Sequence, residues 1–164
     1  MSTGLMIAAF LGATNAGRVA LGLGDGRAQW RALLAALAGG AALVLVSILV
    51  SDPLLDALDV SPESFRIAAG IVLAATGVVT ILRPRPSGPV GALLVTPELA
   101  CVAIAAAADR GVGPALGAAA IALAVVAALG LLPRVAPAGR AAPFLAALAV
   151  VAGVALVVLG VRDV

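Results

Sequence analysis

The chain is a succession of apolar runs separated by short breaks rich in Gly, Pro and charge. The runs fall near 3–23, 32–51, 64–82, 89–108, 112–132 and 142–161. A helix needs about 20 mainly apolar residues to cross the hydrocarbon core of a bilayer, so each run is long enough to span. The pattern predicts about six transmembrane helices joined by short connectors, with no room for a soluble domain. The first run begins almost at Met1 with no Arg or Lys ahead of it, a poor n-region for a signal peptide. It reads as a retained first helix, although Thr14-Asn15-Ala16 could mimic a cleavage site.

Two of the breaks carry local chemistry. The connector from Asp52 to Ser64 holds Asp52, Asp56, Asp59 and Glu63, and it ends in a helix start. There Ser61 is placed to cap, Pro62 fits the first helical position, and Glu63 falls in the first turn. The connector Arg83-Pro84-Arg85-Pro86-Ser87-Gly88-Pro89 cannot continue a helix. It divides the chain into 1–82 and 90–164, with 83–89 between them.

Three helices per half is an odd number, so a repeated half must insert upside down relative to its partner. The halves are weakly alike: Gly12-Ala13-Thr14-Asn15 stands in the first helix of one, and Leu94-Val95-Thr96-Pro97 in the first helix of the other. The third helices end in Ile81-Leu82-Arg83 and Gly160-Val161-Arg162. The predicted fold class is an all-α integral membrane protein of about six transmembrane helices arranged as two inverted three-helix repeats. Transporters commonly use this plan and bind substrate near the midplane, where interrupted helices meet. The competing reading is that Ala/Val/Leu-rich helices always look alike.

Composition strengthens the membrane assignment. The 164 residues are 63% hydrophobic and 11% charged, with a mean hydropathy of +1.23. Soluble domains run at roughly 45–50% apolar and 25% charged. The basic residues are all Arg and lie mostly between apolar runs, a distribution that speaks for membrane orientation and against nucleic-acid binding. One side collects Arg27, Arg31, Arg83, Arg85, Arg134 and Arg140, and the other Arg66, Arg110 and Arg162. The richer side is expected to be cytoplasmic. That makes the protein a multi-pass chain of the cell membrane with both termini extracytoplasmic and Trp30, beside Arg31, as an interfacial anchor. Cys101 is the only cysteine, so neither an intramolecular disulfide nor a thiolate cluster can form.

Signals for catalysis are scarce. The chain has no His and no Tyr, and it lacks a GxSxG elbow, an HExxH motif and a phosphate-cradling Gly loop followed by Lys. No enzyme activity, metal or cofactor is expected. The deep carboxylate is Glu98, near the middle of the predicted fourth helix. Ionisable groups at that depth are costly and usually mark a binding or ion pathway; the plainer reading is a protonated, structurally tolerated acid. Pro97 removes a backbone donor and tends to open the helix, exposing carbonyls.

In the first helix Thr14, Asn15 and Arg18 stand among Gly12 and Gly17. Asn15 and Arg18 are three apart and share a face. Arg18 sits about 7 Å on the cytoplasmic side of the helix centre, where it either snorkels or pairs with Glu98. The candidate substrate-binding set is Thr14, Asn15, Arg18, Thr96, Pro97 and Glu98. The glycines and alanines Gly39, Gly40, Gly70, Ala74, Gly77, Gly117 and Gly153 are expected to serve close helix packing. Thr76 and Thr80, one turn apart, are expected to bond back to their own helix.

The stretch Val60-Ser61-Pro62-Glu63-Ser64-Phe65-Arg66-Ile67-Ala68-Ala69-Gly70-Ile71-Val72-Leu73 resembles the start of the third helix in the MarC family of multi-pass inner-membrane proteins. In that family a Pro and then Phe-Arg-Ile-Ala-Gly-Gly-Ile follow a short extracytoplasmic connector. The order of six spans and the polar breaks in the first and fourth are also similar. The family's Asn-Pro-x-Gly-Asn motif is matched here only by Asn15. Pro97 matches the proline of its fourth helix, but no Gly-Pro-Gly follows in Leu99 to Ala103. The resemblance implies membership of the amino-acid exporter-like superfamily, one branch of which carries small neutral amino acids.

The expected function is therefore a small secondary transporter or exporter of small solutes such as neutral amino acids. The expected partners are the lipid bilayer, a small-molecule solute and a coupling proton or sodium ion, with a homo-oligomer open and nucleic acid excluded. The alternative is a non-transporting membrane component that assists the assembly of a partner complex.

Overall fold

The computed structural model describes residues 1–14, 27–82, 94–131 and 137–163, and every regular element among them is an α-helix. The elements are α1 Thr3–Thr14, α2 Arg27–Leu49, α3 Ser51–Leu58, α4 Pro62–Leu82, α5 Pro97–Arg110, α6 Val112–Leu131 and α7 Pro137–Asp163. Segments in α2, α4, α6 and α7 are long and apolar enough to cross a membrane: Trp30–Leu49, Pro62–Leu82, Val112–Leu129 and Pro143–Asp163. The outward faces are consistent with that setting. Leu49, Leu82, Phe144, Val151 and Val161 are each more than 60% exposed, and exposed apolar surface on this scale marks a lipid or partner contact. Of the predicted first span the described residues include α1, with 15–23 lying outside them, and the predicted fourth span is represented by the shorter α5. The connector 83–89 lies outside the described residues.

The third span begins as its residues dictate. The Ser64 N–H donates to Ser61 Oγ at 3.2 Å, Pro62 opens α4, and Glu63 sits in its first turn. The stretch before it differs from the expected connector, because Ser51–Leu58 forms the helix α3. Pro53 explains the break between α2 and α3: its ring would collide with the carbonyl four residues back, so the chain bends at Val50 (φ −96°, ψ 2°). The Ser51 hydroxyl donates to the Ile48 carbonyl at 2.8 Å across the bend. Leu55 turns inward while Asp52 and Asp56 stay exposed, and α3 ends at Asp59 in the left-handed region (φ 51°).

The closest helix pair is α4 with α7, which run antiparallel. Small residues recur every seven positions on both: Gly70 and Gly77 on one, Ala146, Gly153 and Gly160 on the other. A seven-residue spacing keeps them in a single stripe. A methyl on Gly153 would lie 2.5 Å from the Gly70 carbonyl oxygen, and one on Gly77 would lie 2.7 Å from that of Ala146. The backbones thus touch directly, the arrangement that substitutes for hydrophobic drive between helices in lipid. Gly12 does the same for α1, where a methyl would lie 2.7 Å from Ala149 Cα. Gly117 departs from the packing expectation, being exposed with nothing near it. Thr76 and Thr80 bond back to Val72, Leu73 and Thr76 carbonyls as their spacing predicts. Met6, Phe10, Leu33, Leu73, Leu99 and Leu156 fill the centre.

Candidate functional site

The fourth predicted span is interrupted, and this corrects the placement of Glu98. The apolar run 89–108 reads as one helix with Glu98 near its middle; instead α5 starts at Pro97, and Glu98 lies in its first turn. The reason is local. Pro97 cannot take an internal helical position without losing a bond, but it fits the first one. Thr96 is extended (φ −124°, ψ 144°), and its Oγ1 accepts from the Leu99 N–H at 3.4 Å. Leu94 adopts a left-handed φ of 55°, costly for a branched side chain. Its burial offsets that cost: the side chain is 1% exposed and seats over Gly40 of α2, where a methyl would come within 3.1 Å of Leu94 Cβ.

The first turn of α5 is almost self-sufficient. Pro97 has no N–H, Thr96 takes that of Leu99, and the Ala100 N–H bonds to the Thr96 carbonyl at 3.2 Å. The donor of that turn left uncommitted among the described residues is the Glu98 N–H. The half-buried Glu98 carboxylate likewise has no hydrogen-bond or ion-pair partner among them. Its charge lies at the positive end of the helix dipole, which stabilises it modestly. A carboxylate so placed, with one donor beside it, suits a cation or an ammonium group better than an anion.

Thr14, on the last turn of α1, is 3% exposed and donates its hydroxyl to the Leu11 carbonyl at 3.1 Å. It can accept a further hydrogen bond but has no proton left to give. Thr96, whose oxygen accepts from Leu99, retains its own proton. Asn15 and Arg18 lie outside the described residues. The level of Thr14 follows from the other end of α1, where the Met1 ammonium bonds Asp109 Oδ2 of α5 at 2.6 Å. The two helices pack against each other in opposite directions. Counting thirteen residues inward along each brings Thr14 and Thr96 to about the same depth, ~20 Å from that contact. Glu98 is ~16 Å from it along the helix.

Sequence reasoning missed the ionic cluster at that other end. Arg66 counts as a connector charge in the orientation argument, yet it is 4% exposed. Its Nη1 donates to Asp163 Oδ2 at 2.7 Å and its Nη2 to Asp109 Oδ1, while its Nε has no partner. Asp109 is 9% exposed and is also approached by the half-exposed Arg110. The cluster puts the N-terminus and the end of α7 on the same side of the bundle. Helix parity carried a signal: Arg66 near the start of the third span and Asp109 and Asp163 at the ends of the fourth and sixth must share one side. No group of three or more His, Cys, Asp or Glu able to hold a metal occurs among the described residues.

No family model, curated protein or solved structure matches this chain.

Proposed function

We propose that the chain is a small, non-enzymatic secondary transporter or exporter of the inner membrane, a divergent relative of the MarC family. It holds a small solute, such as a neutral amino acid, between its first span and its interrupted fourth. The observation that carries this reading is the Glu98 carboxylate, which has no partner among the described residues and lies in the first turn of the half-length helix α5. Charged groups at such depth mark solute and ion routes, and discontinuous helices supply the polar ends that line them. Glu98 receives the ammonium or passes a coupling proton. The Glu98 N–H and the Thr96 hydroxyl proton serve the opposite end, with Pro97 fixing the start of the helix. Thr14, limited to accepting, complements a donor, while Asn15 and Arg18 complete the site from the first span.

Part of the packing pattern supports two inverted repeats, although the contact of α5 with α6 has no counterpart of like size between α1 and α2 among the described residues. When the halves are exchanged, so that α1, α2 and α4 correspond to α5, α6 and α7, the contact of α1 with α6 corresponds to that of α2 with α5. The contact of α1 with α7 likewise corresponds to that of α4 with α5. The pairs α1–α5, α2–α6 and α4–α7 map onto themselves. Alternating access then consists of rearrangement of one repeat against the other, with both termini on the extracytoplasmic side.

The test is counterflow of glycine or alanine into liposomes containing the purified protein, with Glu98→Gln as the variant. The expected result is uptake that falls to the empty-liposome level in Glu98→Gln. Wild-type rates in the variant would refute the role of Glu98. No solute-dependent thermal shift, together with stable co-purification of one partner, would replace transport by the accessory reading.

A further inference from the structure

Arg66 sits where three helices meet, and its two ion pairs have unlike mechanical settings. Asp163 belongs to α7, which is fastened to α4 along its length. Gly77 lies against Ala146, Gly70 and Ala74 against Gly153, and Gly160 against Ile67 and the Glu63 carbonyl. The bond from Arg66 to Asp163 therefore joins two helices that already move as one. Asp109 belongs to α5, a 14-residue helix bounded by breaks at both ends. It is entered through the left-handed Leu94 and extended Thr96 and left through Gly111 (φ 83°), around which a methyl would meet open space. Arg66 holds each carboxylate by one bond and leaves its Nε–H uncommitted. This is a looser grip than the two-bond fork guanidinium makes with a single carboxylate.

Asp109 is also held by the Met1 ammonium at 2.6 Å, and the geometry points to this junction of Asp109 with Arg66 and Met1 as a releasable tether that holds the rod α5 against the α4/α7 frame and the start of α1. Release lets α5 pivot at Gly111 and displaces its far end, where Glu98 lies ~16 Å from Asp109. As the conformational control on the solute site proposed at Glu98, the junction rests on the transport reading; the tether itself goes beyond that reading. A protein that shows the tether but carries no solute would refute transport alone.

Cys101, the chain's only cysteine, is half-buried on α5 one turn beyond Glu98 and reports on the rod directly. The experiment is the rate of Cys101 alkylation by N-ethylmaleimide in the purified full chain in lipid vesicles, for wild type, Asp109→Asn and Asp163→Asn. Asp109→Asn is expected to raise the rate at least about fivefold, the population change that accompanies a modest loss of restraint. Asp163→Asn, which leaves the tether and the seam intact, is expected to stay within about twofold of wild type on the same scale. Equal rates for wild type and Asp109→Asn, or an equal rise in both variants, would overturn the tether. Should Asp109→Asn fail to fold, backbone hydrogen exchange of the wild-type chain decides. Faster exchange in α5 than in α4 and α7 supports a mobile rod on a fixed frame, and equal protection refutes it.

Discussion

Replacing Gly153 by Ala puts a methyl group where α4 and α7 cross at the middle of both spans. The new carbon would lie 2.5 Å from the Gly70 carbonyl oxygen, 2.7 Å from the Ala74 nitrogen and 2.9 Å from Ala74 Cβ. Two of these atoms are backbone and cannot turn aside. Carbon contacts are optimal at about 3.5–4.0 Å, so the helices must part locally by about 1 Å. A gap of that size forfeits roughly a quarter to a half of each neighbouring contact, and separation exposes only apolar surface to lipid, which offers no hydrophobic restoring force. Overpacking typically costs about 1–3 kcal/mol, and the upper half of that range is expected here because both partners are main chain.

Gly117→Ala on α6 is the control. It too adds one methyl to a membrane-length helix, but with nothing within 4 Å it is expected to be neutral or to gain up to about 1 kcal/mol from helix propensity. The assay is reversible SDS titration of the purified protein followed by far-UV circular dichroism. Gly153→Ala within about 0.5 kcal/mol of wild type, the scatter of ordinary surface changes, would refute direct backbone contact between α4 and α7. Greater destabilisation by Gly117→Ala would refute it equally.

Two further outcomes follow from the polar groups. Arg66→Met removes the guanidinium from Asp109 but leaves it the Met1 ammonium, and is expected to cost about 1.5–3 kcal/mol in the same titration. Asp163→Asn, at a position 48% exposed, is expected to cost no more than about 1 kcal/mol, and near-equal losses would contradict the burial described. Thr96→Ala removes the side-chain acceptor for the Leu99 N–H. It is expected to cost about 1 kcal/mol and to raise hydrogen exchange at that amide, whereas Thr96→Ser keeps both near wild type. Unchanged exchange in Thr96→Ala would show that the cap contributes nothing.

The parts of the fold that were legible in the sequence are those set by hydropathy and local caps. The four long apolar helices coincide with predicted spans to within a few residues, and Ser61-Pro62 starts the third as its chemistry requires. What hydropathy alone could not register is a bend that keeps the same average polarity on both sides. Pro53 separates α3 from α2 without lowering the local pattern below what a connector allows, and Leu94-Val95-Thr96 interrupts an apolar run whose hydropathy is continuous. Pro97 signalled an opening in the fourth span. Reading it as the first residue of a helix, with Thr96 as its cap, would have placed Glu98 correctly.

Arg66 was illegible for a different reason. Its position one turn into a span is equally suited to snorkelling, and only the convergence of three helix ends turns it into a buried hub. That convergence relates the two polar features of the bundle. Asp109 and Glu98 occupy opposite ends of one 14-residue helix, ~16 Å apart. With the pivot proposed at Gly111, two residues from Asp109, a small change at the ion pair is amplified at the Glu98 end without any chain of side-chain rearrangements between them.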